Sequence, residues 1–227
     1  MQLAIDTSTE IASIALSQKG DIVAELTWRC GQQHTVELLP NLVHLLQQAK
    51  ASLNSIDGIV VAKGPGSFNG IRVGMSTAKG LAFSLGVPLV GVSTLEVEAS
   101  PYASTGLPLC PIQNAGRGEV AAALYQLKDG EWCQLVKEHI TTIEVLCSQI
   151  NTRTLFCGEL SPEMETQLKS FLAGQVVIPK AVTRLRRASY LAELGWQRLE
   201  RGDFDAPATL QPLYLRRPAI TLPKPRH

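Results

Sequence analysis

The residues with the clearest potential for chemistry form a glycine-rich turn, Gly64-Pro65-Gly66, just before a stretch with helical spacing. Successive backbone amides near the start of a helix can bind an anion such as phosphate. The sequence does not have the spacing of a Walker loop, however, because no G-x-x-x-x-G-K-[ST] pattern can be drawn and Arg72 already falls inside the predicted helix. Small residues follow at every fourth position, namely Gly70, Gly74, Ala78 and Ala82. This spacing favours a packing role, with a smooth seam that another helix can approach closely.

Nucleophile and metal chemistry find little support in the sequence. The serines do not form a G-x-S-x-G elbow, and the histidines do not have the spacing of metal ligands. The histidines are His34, His44, His139 and His227. The five cysteines are an odd number without a C-x-x-C pair, which argues against a disulfide framework or a zinc site and predicts reduced thiols in or near the core. The cysteines are Cys30, Cys110, Cys133, Cys147 and Cys157.

Two further polar positions allow a functional and a structural interpretation. His34 precedes Thr35 and Glu37, so we expect it at a helix N-terminus, where it makes a hydrogen bond, in preference to a functional imidazole. Arg117-Gly118-Glu119 is either a pair of site residues or a turn before a strand with a surface ion pair, and the turn is the preferred interpretation.

Hydrophobic patterning predicts the elements that must position these residues. Three short runs bounded by turn residues predict consecutive antiparallel strands, and longer periodic runs predict two helices that alternate with two buried strands. The strands are predicted at residues 3–6, 12–17, 22–28, 58–62 and 88–92, and the helices at residues 34–50 and 70–85. This order is that of an actin-like (ASKHA, ribonuclease H-like) α/β domain.

A cluster of Ser, Thr, Gly and Pro at residues 101–108 predicts a hinge or domain boundary. The elements beyond it copy the first half only loosely. They are strands at residues 109–113, 119–127, 134–141 and 154–157 and helices at residues 143–150 and 163–172. A last helix at residues 189–201 has Ser189 as its predicted N-cap and Gly202 as its predicted C-cap. Three prolines make residues 218–227 a predicted flexible tail.

Composition indicates an ordinary globular chain with an asymmetric charge. The 227 residues are 45% hydrophobic, which is enough for one or two compact domains. No signal-peptide pattern or run of about 18 apolar residues is present, so the sequence predicts a cytoplasmic protein without a membrane segment. Residues 180–227 hold ten Lys or Arg and four acids. Arg184, Arg186 and Arg187 in this basic region are candidate nucleic-acid contacts, with solvated surface as the alternative.

Four segments together resemble the TsaB (YeaZ) family, bacterial partner proteins in the synthesis of threonylcarbamoyladenosine in tRNA. They are Ile5-Asp-Thr-Ser-Thr9, His34-Thr-Val-Glu-Leu-Leu-Pro40, Lys63-Gly-Pro-Gly-Ser-Phe-Asn-Gly-Ile-Arg-Val-Gly74 and Gly91-Val-Ser-Thr-Leu95. The similarity is dense over residues 3–95 and continues more thinly in Arg117-Gly-Glu-Val120, Gly158-Glu159 and Pro212-Leu-Tyr-Leu-Arg216. It implies two actin-like domains with mixed sheets flanked by helices, at residues 1–103 and 104–217.

The resemblance to actin-like proteins also bears on Asp6-Thr7-Ser8-Thr9. In actin-like ATPases a similar loop brings hydroxyls and backbone amides to phosphate, and its acid orients metal-bound water. Phosphoryl transfer needs charge neutralisation from both sides, and here the second lobe has Asn114 where close relatives are expected to carry Asp. Because an amide cannot bind magnesium as a carboxylate does, we do not expect independent ATP hydrolysis. We interpret Asp6, Thr7 and Ser8 as residues that shape a turn.

The catalytic relative in this family, TsaD, carries a metal-binding H-x-x-x-H shortly after its equivalent of the strand that ends near Val92. This chain has Thr94 and Glu98 in those two places. The resemblance therefore implies a chain with no catalytic residue, no cofactor and no metal of its own.

The two predicted helices of the first half carry more apolar surface than one core-facing stripe uses, and the surplus serves either the core or, as we prefer, a partner. The candidate interface comprises Val36, Leu39, Val43, Leu46, Gly70, Ile71, Gly74, Met75, Ala78 and Phe83. The resemblance names TsaD as the partner on these helices, and a second copy of the chain would compete for them as a homodimer.

The resemblance implies a function in tRNA modification. Family members assist TsaD and TsaE in transferring threonylcarbamoyl from its adenylate to N6 of adenosine 37, in tRNAs that read codons beginning with A. A non-catalytic subunit would do this by holding TsaD in a productive shape, with tRNA reached through the complex. Two alternatives stay open: an autonomous actin-like ATPase or kinase, which would need intact phosphate loops on both lobes, and a glycopeptidase-like metallopeptidase, which would need the two histidines.

Overall fold

The computed structural model describes residues 1–216, so the predicted tail at residues 218–227 lies outside the described residues. The first half forms a five-stranded mixed sheet in the order β3-β2-β1-β4-β5. Its elements are β1 (Gln2–Asp6), β2 (Ile11–Gln18), β3 (Asp21–Arg29), α1 (His34–Gln48), β4 (Gly58–Ala62), α2 (Phe68–Leu85), β5 (Leu89–Val92) and α3 (Thr94–Ala99). The central strand β1 is buried along its whole length, antiparallel to β2 and parallel to β4.

The second half repeats this topology strand for strand. Its sheet has the order β8-β7-β6-β9-β10, with β6 antiparallel to β7 and parallel to β9. The elements are β6 (Leu109–Gly116), β7 (Glu119–Lys128), β8 (Glu131–Thr141), α4 (Ile143–Gln149), β9 (Thr154–Gly158), α5 (Pro162–Leu172), β10 (Val176–Val177) and α6 (Ala188–Glu200). The predicted elements occur in the predicted order in both halves, each half has one short element that was not predicted (α3 and β10), and the repeat is closer in topology than the sequence indicated.

The last helix of each half packs on the sheet of the other half. Leu95 and Ala99 of α3 are buried in one cluster with Leu109 of β6 and Leu155 of β9. Helix α6 lies instead on β1, β2, β4 and β5 of the first sheet. It comes so close to β4 that a Cβ at Gly195 would lie 2.2 Å from Cγ2 of Val60. This exchange ties the two halves together and brings the segment before α6 to the end of β1.

The capping prediction for α6 is wrong at its start. The helix begins at Ala188 with Arg187 as its N-cap, and the Ser189 amide donates to Oε1 of Glu25 on β3. Packing against the first sheet therefore fixes the start of the helix. At the other end the C-cap is Arg201, and Gly202 follows it with a φ of +70°, the left-handed conformation that glycine favours.

Candidate functional site

The loop after β1 is shaped by its own side chains. Asp6 is 1% exposed, and its Oδ1 accepts hydrogen bonds from the amide of Ser8 at 2.9 Å and from the Ser8 hydroxyl at 2.6 Å. Thr7 donates from its hydroxyl to the carbonyl oxygen of Gly70 at 2.7 Å. The interpretation of Asp6, Thr7 and Ser8 as turn-shaping residues is confirmed.

The second oxygen of Asp6 is occupied by Arg186, which the exchange of helices brings to the end of β1. Arg186 Nε donates to Asp6 Oδ2 at 2.5 Å, Nη1 donates to Glu98 Oε1 at 2.6 Å, and Nη2 donates to the Thr9 hydroxyl at 3.0 Å. Arg186 is 9% exposed. The prediction of Arg186 as a surface contact for tRNA is therefore wrong, because its guanidinium is buried between two carboxylates.

One guanidinium shared by two buried carboxylates leaves an excess negative charge. Burial raises the pKa of Glu98 from its ordinary value of 4.5 to about 7, although Arg186 pulls it down. The two carboxylates hold the pKa of Arg186 above its ordinary value despite its burial. Sequence reasoning missed this cluster. The signal was the run of small residues Ala188, Ala192 and Gly195 after Arg186, which predicts a helix packed closely on a sheet.

The glycine-rich turn, Gly64-Pro65-Gly66, packs with its backbone against the backbone of the loop that follows β1. A Cβ at Gly66 would lie 2.2 Å from the carbonyl oxygen of Ser8, and the Ser67 amide donates to that same oxygen at 2.7 Å. The Gly70 amide donates to the hydroxyl of Ser67, the N-cap of α2. These two amides are therefore engaged within the chain, and the contacts of Gly66 and Ser67 hold the turn against the loop after β1, as the packing interpretation predicts.

The first half of the predicted seam on α2 packs closely on the loop after β1. A Cβ at Gly70 would lie 2.1 Å from the Thr7 carbonyl oxygen, and a Cβ at Gly74 would lie 2.3 Å from the Thr7 hydroxyl oxygen. Ala78 and Ala82 continue the seam into the core of the first half, in one cluster with Leu38 and Leu42 of helix α1.

A polar cleft of about 480 Å³ lies between the halves, and we call it the Ser8 cleft. It is lined by Ser8, Thr9, Glu10, Ile11, Arg29, Gly66, Ser67, Gln113, Asn114 and Glu159. Asn114 makes hydrogen bonds to its neighbours. Its backbone amide donates to Glu159 Oε2 at 3.2 Å, and its side-chain Oδ1 accepts from the backbone amide of Gly116 at 2.8 Å. Among residues 1–216 no group of three or more His, Cys, Asp or Glu is arranged to hold a metal ion.

The duplicated sheet and this loop geometry agree with the comparisons to known proteins. Residues 9–221 match the family model described as TsaD, tRNA N6-adenosine threonylcarbamoyltransferase. The chain is 33% identical to the tRNA threonylcarbamoyladenosine biosynthesis protein TsaB of Bacillus subtilis, over 94% of this chain and 93% of that relative. The chain belongs to the TsaB family.

Solved structures support the fold of this TsaB-family chain. YeaZ from Pseudomonas aeruginosa superposes with a TM-score of 0.81 at 27% identity, covering 94% of this chain and 99% of that one. The ROK hexokinase from Thermus thermophilus superposes with a TM-score of 0.51 at 9% identity, covering 88% and 99%, which shows the fold alone. The predicted actin-like fold is confirmed. Within residues 1–216 no helix is long and apolar enough to cross a membrane.

The helices of this TsaB-family chain expose only part of the predicted interface. Val36, Leu39 and Val43 are 65%, 51% and 53% exposed at helical spacing along one side of α1, and Phe83 on α2 is 88% exposed. We call these four the exposed apolar helix residues. The other predicted members are buried within the chain, so we correct the predicted surface by removing them. They are Leu46, Gly70, Ile71, Gly74, Met75 and Ala78.

The two other arginines proposed for tRNA contact lie nearer the surface and make ion pairs. Arg184 pairs with Glu165 at 2.9 Å and donates to the carbonyl oxygen of Leu160. Arg187, with 53% of its side chain exposed, pairs with Glu25 on β3. In the isolated chain, therefore, each of these two arginines is already paired with a carboxylate.

The remaining polar predictions can also be placed in this TsaB-family chain. His34 is the first residue of α1, and its Nε2 lies 2.7 Å from the Thr9 carbonyl oxygen, so its structural interpretation is confirmed. Arg117 has a φ of +59° in the turn between β6 and β7, and Glu119 forms its ion pair with Arg216. The five cysteines are free thiols, and four of them are buried.

Proposed function

We propose that this chain is a non-catalytic partner of TsaD that acts with TsaE in transferring threonylcarbamoyl to N6 of adenosine 37, in tRNAs that read codons beginning with A. Membership of the TsaB family supports a role in the biosynthesis of tRNA threonylcarbamoyladenosine, the process in the relative's name. The observation that carries the non-catalytic part is the buried guanidinium of Arg186, which engages both Asp6 and Glu98.

The ion pairs oppose catalysis by this chain for an energetic reason. To orient a metal-bound water, the Asp6 carboxylate would have to give up its ion pair with Arg186 and leave the buried Nε–H of Arg186 without an acceptor, while Glu98 stays paired with Nη1. Losing a hydrogen bond to a buried charged group costs about 1.5–3 kcal/mol. Glu98 stands where TsaD carries the second histidine of its metal-binding motif. It accepts a hydrogen bond from the same guanidinium, so this position too has a structural role in the chain.

The proposed docking surface for TsaD is the set of exposed apolar helix residues. A stable interface buries roughly 1,200–2,000 Å² and is centred on apolar and aromatic side chains that are surrounded by a polar rim. Val36, Leu39, Val43 and Phe83 supply such a centre on two helices, while Thr35, His44 and Gln47 are exposed polar residues on α1. A second copy of the chain would compete for the same residues.

The docking proposal is tested with Val43→Glu, because a charge at the centre of an interface is left unpaired on association. We expect the variant to fold normally, to bind TsaD at least about tenfold more weakly, and to lose synthesis of the modified nucleoside with TsaD and TsaE. Phe171→Glu is the matched control, since Phe171 is 53% exposed on α5 in the other half. A folded Val43→Glu protein that binds TsaD as tightly as the wild type would refute the proposed surface.

The non-catalytic role is tested with Glu98→Gln, which keeps a hydrogen-bond acceptor for Arg186. We expect the variant to support synthesis with TsaD and TsaE within about twofold of the wild type at saturating concentrations, because a change outside the chemistry leaves kcat unchanged. The chain alone should release no phosphate from ATP. Loss of synthesis in a folded Glu98→Gln protein that still binds TsaD would assign Glu98 a catalytic role.

We further propose that Arg184 and Arg187 contribute to tRNA binding in the assembled complex, since they are the two predicted tRNA contacts that are less buried than Arg186. Changing each to Ser should lower the salt dependence of tRNA binding by about one unit of slope for each lost phosphate contact. An unchanged slope would leave both arginines with their ion-pair roles alone.

A further inference from the structure

A second polar pocket, of about 300 Å³, lies between the halves and shares no residue with the Ser8 cleft. We call it the Trp132 pocket. Both halves contribute to its wall. Lys63 follows β4, and Ser93 and Glu96 lie at the start of α3, whereas Trp132 and Glu138 lie on β8.

The aromatic side of the Trp132 pocket holds its two carboxylates in place. Tyr125 and Trp132 stack with ring centroids 5.6 Å apart and planes inclined by 6°. The indole Nε1 of Trp132 donates to Glu96 Oε1 at 3.1 Å, and the Tyr125 hydroxyl donates to Glu138 Oε1 at 3.1 Å. A carboxylate has about four lone-pair sites, so Glu96, with one donor, retains acceptor capacity for a further donor. Burial acts to raise the pKa of Glu138, but hydrogen bonds from its neighbours lower this pKa overall and keep the carboxylate charged.

The pocket also contains a buried hydroxyl group that the chain satisfies poorly. Ser93 is 4% exposed, and its hydroxyl oxygen lies near the Glu138 carboxylate and the Tyr125 hydroxyl but makes no hydrogen bond of ordinary geometry among residues 1–216. Such a buried group costs free energy unless a ligand or water satisfies it. Burial raises the pKa of Glu96 although Lys63 and Trp132 lower it, so the carboxylate is only partly neutralised by its surroundings. Two carboxylates against one ammonium leave the pocket with a net negative charge.

We infer that the Trp132 pocket binds a small molecule with an ammonium group, either a free primary amine or an α-amino acid. The ammonium lies between Glu96 and Glu138 beside the aromatic pair and donates to the Ser93 hydroxyl, and all of these groups favour a cation. In an amino acid, the carboxylate pairs with Lys63. A bound ligand contacts both halves, so it also stabilises their arrangement. This inference does not depend on the proposed function.

Three probes of matched size test the inference in the full-length protein. L-Alanine carries both charges, ethylamine carries the ammonium alone, and propionate carries the carboxylate alone. Binding is followed by the indole N–H resonance of Trp132, one of three tryptophans, assigned with Trp132→Phe. We expect L-alanine and ethylamine to shift this resonance saturably, with a Kd of about 1–10 mM for ligands so small, and propionate to have no effect.

Variants of the pocket residues show which side chains bind the ammonium group, and they distinguish a primary amine from an α-amino acid as the ligand. Glu138→Gln and Glu96→Gln should each weaken both ammonium probes about tenfold or more, because a charge-assisted hydrogen bond is lost. Ser93→Ala should weaken them by a smaller factor. The control Glu131→Gln, an exposed carboxylate on the same strand β8, should change nothing. Lys63→Met should weaken L-alanine alone if the ligand is an amino acid, and neither probe if the ligand is a simple amine.

Three results would overturn the inference. They are the absence of a saturable shift with either ammonium probe, a shift of the Trp132 resonance by propionate, and binding that is unchanged in both carboxamide variants. Chemical shifts elsewhere in the spectrum show whether each variant is folded. If one carboxamide variant does not fold, the other variant and Ser93→Ala still decide the question.

Discussion

Arg186 lies 180 positions from Asp6 in the chain, yet it donates to the carboxylates of both Asp6 and Glu98. The three side chains are almost fully withdrawn from water. A buried network of this kind gains little over an apolar core, but removal of one member leaves the others uncompensated. Arg186 therefore acts as an internal counter-ion that fixes the loop after β1 and makes its acid unavailable for other chemistry.

The first prediction concerns this counter-ion. Arg186→Met should lower the free energy of unfolding by about 3–5 kcal/mol, because two carboxylates are left without their cation. Arg29→Met is the matched control, since Arg29 and Glu10 form an ion pair with both side chains 72% exposed. That change should cost less than about 1 kcal/mol. Urea unfolding of the two variants measures the difference, and equal small losses would contradict the burial of the cluster.

The second prediction concerns the pH dependence of stability. The pKa of Glu98 is about 7 in the folded chain against its ordinary value of 4.5, because the carboxyl is buried. The folded state therefore binds more protons than the unfolded state between these values, and the contribution of Glu98 to stability is full below about pH 4.5 and lost as the pH rises to about 7. Relative to Glu98→Gln, the wild type should lose on the order of 3 kcal/mol across this window.

Urea unfolding of both proteins at several pH values checks this prediction. The comparison with Glu98→Gln removes the contribution of all other titrating groups, provided that they lie in the same surroundings in both proteins. A difference that is constant or that increases with pH would show that Glu98 is ionised throughout.

Single residues were the hardest features to predict from the sequence. Arg186, Arg184 and Arg187 were assigned together because charge and proximity in the chain do not reveal burial. Met75 and Val43 both belong to wide apolar arcs, and periodicity alone does not show which side of an arc faces the core. His34 was predicted correctly because the helix start that defines its role is local in sequence.

At the scale of elements, α2 is positioned by the close approach of its first two turns to the loop after β1. The third prediction tests this approach with two glycines of the same helix. Gly70→Ala should destabilise the chain by about 1–3 kcal/mol or more, because its Cβ would lie 2.1 Å from the Thr7 carbonyl oxygen. Gly80→Ala should stabilise it by about 0.5–1 kcal/mol, because the exposed position has no heavy atom within 4 Å of the new Cβ.

Thermal or urea midpoints of the two alanine variants should therefore move in opposite directions. A shift in the same direction for both would mean that helix propensity outweighs the packing of α2 on Thr7. Gly80 lies on the same helix as Phe83, so a TsaD-binding assay on Gly80→Ala would report in addition whether the helix surface tolerates a methyl group.

Most elements were predictable because their hydrophobic periods are long enough to be recognised. The exceptions are α3 and β10, which have six and two residues and were not predicted. A helix of fewer than two turns does not display a period, and β10 forms only through its pairing with β9. In the candidate site, too, only local features were predictable. The turn at Asp6 was predicted, whereas its contact with Arg186, and through it with Glu98 on α3, depends on the packing of distant segments and was not.

At the scale of the whole molecule, the exchange of α3 and α6 makes each sheet depend on the other half of the chain. Ala4, Val60 and Val90 of the first sheet are fully buried beneath α6, and Leu109 and Leu155 of the second sheet are buried beneath α3. The domain boundary predicted near residue 103 therefore lies between the two sheets, but α3 and α6 each pack on the sheet that lies on the other side of this boundary.

The last prediction is that the two halves unfold together, although many chains of this length unfold in steps. Loss of either sheet removes the support of the helix that the other sheet needs, so neither half can unfold alone without exposing both clusters. Two variants with one tryptophan each report on the halves, one retaining Trp28 on β3 and the other retaining Trp132 on β8. The urea midpoints of their fluorescence should coincide, and Arg186→Met should lower both by the same amount. Separate midpoints, or a shift in the Trp28 signal alone, would show that the first half unfolds independently and that the exchange of helices does not couple the sheets.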